Sequence, residues 1–111
     1  LDTVVQMEQF AMAEDMIAAG ANPWRIGMGG NMAVQGIAGG AILPLGPDDA
    51  AAKERLIAAL RRPPSLPWPP PAATTVREKV LAGEWPTPAM RIAGMVTTPQ
   101  ALDDMRRRAA D

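Results

Sequence analysis

The sequence predicts a mostly helical chain: several short helices joined by a glycine-rich segment and a polyproline II arm, elongated, weakly autonomous and without a substantial sheet. Three observations lead there. No run alternates apolar and polar residues with the β-branched enrichment of a half-buried strand. Helix-start chemistry recurs, at Asp2, Pro47-Asp48-Asp49, Thr87-Pro88 and Thr98-Pro99. Finally, the 111 residues include 12 prolines and 10 glycines but only three tryptophans and one phenylalanine.

That last observation sets the energetics. Apolar residues make up 48% of the chain, but 21 of them are alanine. Large side chains supply most burial energy, at about 25 cal/mol per Å² of apolar area. Little of that is available here to offset the entropy of ordering. The expectation is therefore a weak core, with shape maintained against partners. Eight methionines suit irregular contact surfaces of that kind.

From the N-terminus, Asp2 is placed to cap a helix over 3–19 that Gly20 ends. Phe10, Met12 and Met16 spread round it, so it calls for cover on more than one side. Residues 21–24 form a turn. The next segment, 26–47, holds seven glycines and no charge in 22 residues. Pro47 then opens a helix to about residue 62, with acids in its first turn, an Asp49–Lys53 pair, and Leu56, Ile57 and Leu60 as its apolar stripe. Residues 63–71 contain six prolines in nine positions. They are expected to form an extended rod of roughly 28 Å. Thr75-x-x-Glu78 reads as a capping box for a helix over 76–82. The two Thr-Pro starts give helices over 88–96 and 99–110. The chain thus divides into a helical part (1–62, containing 26–47), an extended arm (63–75) and a three-helix part (76–111).

Three segments carry candidate function. In the glycine-rich segment, Gly36 and Gly40 have the small-xxx-small spacing that lets two backbones approach closely. Seven glycines and Pro44 make a poor membrane helix, so packing against protein is expected in place of bilayer insertion. In the proline run, Arg61-x-x-Pro64-x-x-Pro67 has the step of a polyproline ligand, though so many prolines make the match easy. The expected role is a stiff arm whose Trp68 inserts into an apolar pocket, and Trp85 is a second aromatic contact. The C-terminal segment has the rhythm of a helix-turn-helix, with Gln100 at a base edge and Arg106, Arg107 and Arg108 on phosphates. Asp103 and Asp104 on the same helix oppose that alternative.

Catalysis has the least support. The chain lacks His, Cys and Tyr, and Ser65 is its only serine. Adjacent acids such as Glu14-Asp15 point about 100° apart on a helix and cannot share a proton or a metal. No cofactor, metal or small-molecule substrate is expected. A net charge of −1 offers no field for nucleic acid. No leader peptide is legible at the acidic N-terminus. The reading is a non-enzymatic structural or interaction subunit whose partners are other protein subunits, for instance in a virus particle or a membrane complex. The alternatives are a DNA-binding helix-turn-helix over 88–110 and a membrane-inserting segment over 26–47.

Overall fold

The computed structural model describes residues 1–41 and 44–110; Ile42 and Leu43 of the glycine-rich segment and the terminal Asp111 lie outside the described residues. The helical expectation holds. The described residues form seven α-helices and one parallel pair of two-residue strands.

Helices α1 (Asp2–Gln6) and α2 (Phe10–Ala18) replace the single helix expected over 3–19. The chain breaks at Glu8, whose φ of +59° is left-handed. The break resolves the problem of a helix apolar round most of its girth. It lets Val5 of α1 and Phe10 and Ala13 of α2 all reach the interior. Gly20, at φ +110°, ends α2, and the N–H of Ala21 closes the turn onto the Met16 carbonyl at 2.9 Å.

Helix α3 (Ala33–Ala38) lies inside the glycine-rich segment and buries Val34 and Ile37. Its Gln35 side chain works as a clamp. Oε1 accepts from Met32 N–H at 3.0 Å, and Nε2 donates to the carbonyls of Gly30 and Pro71, each at 3.2 Å. Helix α4 (Pro47–Leu60) forms as predicted, with Pro47 in its first turn and Ala52, Leu56 and Leu60 buried. Its Asp49 does not pair with Lys53. Asp49 Oδ1 instead accepts the Ala11 N–H of α2 at 3.0 Å, supplying a cap from 38 residues away. Lys53 turns to the Gly39 carbonyl, with its ammonium 4.8 Å from the centre of the Phe10 ring.

The proline run departs from a straight rod. Leu66 N–H turns back onto the Pro63 carbonyl at 3.3 Å, and the Trp68–Pro69 peptide is cis. A polyproline II helix has no internal hydrogen bonds. The bends bury Leu66 and bring Trp68 against the core. Burial of two large side chains outweighs the local preference of proline for extension.

Helix α5 (Ala73–Leu81) starts three residues before its expected first residue, after Ala72, so Thr75 and Glu78 lie inside it and form no capping box. Helices α6 (Pro88–Ile92) and α7 (Pro99–Ala110) do open on threonine caps: Thr87 Oγ1 accepts from Met90 N–H and Thr98 Oγ1 from Ala101 N–H, both at 3.2 Å. Between them, strand β2 (Val96–Thr97) pairs in parallel with β1 (Arg25–Ile26). An extended strand thus stands where a helix-turn-helix has its turn.

Helices α1 to α4 pack on one another, whereas α5 and α7 pack on a 3-10 turn at Met28–Gly30. Gly30 is the close point. Its φ is +88°, and a Cβ built there would lie 2.3 Å from the Ala73 carbonyl oxygen and 2.8 Å from Arg77 N. Only a residue without a side chain lets the first turn of α5 come this near. One buried cluster runs from Val5 to Met105 and includes Phe10, Trp24, Leu66 and Val76. The expected elongation is therefore corrected. The extents are 45 × 28 × 23 Å and the radius of gyration is 14.1 Å, against about 13 Å for a compact chain of this length. The proline run folds back onto the core, which is why the molecule does not draw out.

Candidate functional site

A cleft forms around Trp85, built where α5 ends. Past Leu81 the chain turns at Gly83, and Trp85 N–H donates to the Lys79 carbonyl at 3.2 Å. That bond fixes the start of the Trp85-Pro86 dipeptide against α5. The Lys79 ammonium sits 5.9 Å from the centre of the Trp85 ring and 3.2 Å from a Glu84 carboxylate oxygen, holding one side of the indole.

The opposite wall comes from the C-terminal elements. Ala101, Asp104 and Met105 of α7 turn inward, so Leu102 and Arg106, one turn apart, share a neighbouring face. Both line the cleft, with Val80, Pro86, Arg91, Val96 and Thr97. Position β2 is set by its pairing with β1 and by Asn22, whose Nδ2 donates to the Gly94 carbonyl at 2.7 Å. The cavity measures about 430 Å³ and opens widely to solvent.

Its charge is one-sided. The lining contains Arg91 and Arg106 and no acid. Among the described residues neither arginine is in an ion pair. By contrast, Arg107 and Arg108 fold back on Asp104, at 3.7 and 3.0 Å. The wall also holds a buried hydroxyl: Thr97 Oγ1 has no hydrogen-bond partner. A buried unpaired polar atom costs about 1–3 kcal/mol. At the rim Val96 is 39% exposed, and Ile92, next to Arg91 in the chain, is 90% exposed.

Away from the cleft, an ion pair joins α2 to α4. Arg55 grips Glu14 with two nitrogens, each at 2.8 Å. The hydrogen bonds from Arg55 hold the Glu14 carboxyl below the usual carboxylate range, and the Arg55 guanidinium is stabilised in turn. Among the described residues no group of three His, Cys, Asp or Glu side chains comes together to hold a metal, and no helix is long and apolar enough to cross a membrane.

No known family model matches the chain, and neither a curated protein nor a solved structure is significantly similar to it. The site therefore has to be read from its own chemistry.

The residues singled out from sequence disperse. Phe10 is fully buried, Met12 is exposed and Met16 half-buried, so α2 turns these three in different directions. Gly36 meets α1: a Cβ there would stand 2.6 Å from Val5 Cγ1. Gly40 lies beyond the end of α3 with nothing within 4 Å of a built Cβ, so the two glycines do not form one face. Arg61 and Pro64 are exposed, Pro67 and Trp68 half-buried along the bent proline run. Gln100 is exposed on α7. Trp85 and Arg106 come together in the cleft, the first read as a protein contact and the second as a phosphate contact. Sequence reading missed Arg91 and Thr97, whose only signal was that an arginine and a β-branched pair flank Gly94.

Proposed function

We propose that the protein is a non-enzymatic interaction subunit that docks onto other protein chains as a folded body. The observation that carries this reading is an open cleft with an apolar floor of Val80, Pro86, Val96 and Leu102 beside Trp85, at which Val96 remains 39% exposed. Single exposed apolar residues are ordinary on a protein surface, but a concave apolar floor continuing into an exposed rim has the form of a contact site. The absence of His, Cys and Tyr from the sequence supports the non-enzymatic part.

The test is a photo-activatable residue placed at Ile92 and, as control, at the exposed Glu54 of α4, in the organism that makes the protein. Discrete protein adducts from position 92 and none of the same size from position 54 are expected. If position 92 yields no adduct, or only the pattern of position 54, the reading fails.

A further inference from the structure

Resting on that reading, we infer that the Trp85 cleft receives an acidic segment of a partner protein, with a large apolar side chain seated between Trp85 and Leu102 and flanking carboxylates held by Arg91 and Arg106.

Charge complementarity identifies the occupant. Two guanidinium groups line one apolar cleft, no acid lines it with them, and no ion pair among the described residues occupies either. The contrast along α7 is informative. Arg107 and Arg108 are tied to Asp104 of their own helix, whereas Arg106, facing Leu102, is left for an outside partner. A guanidinium presents paired N–H groups that match a carboxylate, and beside an apolar wall the pairing gains from reduced screening. The apolar floor of Val80, Pro86, Val96 and Leu102 gives a purely ionic ligand nothing to bury against, so the occupant carries an aliphatic or aromatic group as well.

The shape selects a protein segment over a free metabolite. Small-molecule sites enclose about 70–90% of the ligand surface. This cleft is open to solvent, and Val96 of its lining and Ile92, the chain neighbour of Arg91, both remain exposed. An occupant longer than the cleft would cover them. Thr97 adds a specific contact. Its hydroxyl is buried at the wall with no partner, and a peptide carbonyl or carboxylate reached by rotation about χ1 would satisfy it.

The experiment uses the whole chain and a fluorescein-labelled, end-blocked peptide in which a central Leu or Phe is flanked on both sides by Asp and Glu. Its controls are the same peptide with Asn and Gln, the acidic peptide with Ala at the centre, phenylacetate, and a labelled DNA duplex. Fluorescence anisotropy should give a dissociation constant in the micromolar range for the acidic apolar peptide. Each peptide control should bind at least about tenfold more weakly, the size expected for a charge-assisted pair or an apolar anchor. Raising NaCl from about 50 to about 500 mM should weaken the acidic peptide several-fold and leave the Asn/Gln peptide unaffected. The R91A/R106A variant should lose the charge preference while keeping its helical circular dichroism. T97V should keep its fold and weaken binding a few-fold.

Equal binding of the neutral peptide, or unchanged affinity in R91A/R106A, overturns the inference. So does phenylacetate binding as tightly as the peptide, DNA binding more tightly, or a concentration-dependent dimer that blocks the cleft. Should the peptide fail while cross-linking from Ile92 still yields a defined partner, the interaction reading stands and the acidic occupant is wrong.

Discussion

The glycine-rich segment and the Trp85 cleft make an instructive pair. Both are short on charge or one-sided in it, and both offer surfaces on which another chain can settle. At its close points the first is met by the chain itself. Gly30 receives the first turn of α5, Gly36 receives Val5, and Gln35 binds the segment to Pro71 at the end of the proline run. The second is left open, with two unpaired arginines and an unpaired hydroxyl. Close approach at a glycine was available to an external partner, yet the chain itself supplies the partner. The Trp85 region has no further segment to cover it among the described residues. The difference teaches that a small-residue spacing says a backbone can come near, and only the fold says whose.

That contrast breaks most easily at Gly30. Any side chain there meets the α5 backbone, which cannot yield as a flexible side chain does, and the left-handed φ adds strain. Gly30→Ala should lower stability by about 3 kcal/mol or more, a fall in melting temperature of roughly 10–20 °C. A variant that melts like the native protein would show that α5 is not seated on this turn.

Gly36 and Gly40 sharpen the comparison within the segment. Gly36→Ala should cost on the order of 1 kcal/mol by pushing Val5 aside, and should couple to Val5→Ala by about 0.5 kcal/mol or more in a double-mutant cycle. Gly40→Ala, with open space around it, should be neutral or stabilise by up to about 0.5 kcal/mol through the unfolded state. Equal effects at the two positions would restore the idea that they act as one face. Urea denaturation measures all of these.

On the cleft side the expected stability effects are smaller still. Arg91→Ala and Arg106→Ala should stay within about 0.5 kcal/mol of the native protein, as exposed substitutions do. Thr97→Val removes an unpaired hydroxyl and should be neutral or slightly stabilising. A clear loss of stability in any of the three would mean the cleft is structural. The smallest effect belongs to Glu14–Arg55. Because the Glu14 pKa is depressed, the pair contributes above the ordinary glutamate value of about 4.3 and is lost as pH falls below it. Arg55 stays charged throughout and adds no pH dependence of its own. Arg55→Gln should therefore match the native protein in acid and fall behind it as pH rises through that window.

Legibility followed locality. Pro47, Thr87 and Thr98 announced their helices because capping chemistry acts within three or four residues. The break at Glu8 gave no such sign, since a left-handed non-glycine residue is chosen by the packing of Val5 and Phe10 rather than by its own type. The proline run misled in the same way: nothing local reveals that Leu66 and Trp68 have a core to join. In the cleft, Trp85 stood out as a rare aromatic, and Arg106 was noticed as a member of α7 but not as a neighbour of Trp85. Arg91 and Thr97 were invisible because their placement depends on β2 pairing with Arg25–Ile26, about seventy residues earlier in the chain.

The most direct test of the central contrast is a two-dimensional amide NMR titration of the labelled protein with the acidic apolar peptide. The account predicts shifts at the Trp85 indole N–H, at Thr97, and at Arg91 and Arg106, with the amides of Gly29, Gly30 and Gly36 unmoved. Shifts centred on the glycine-rich segment, with the Trp85 indole unchanged, would contradict it.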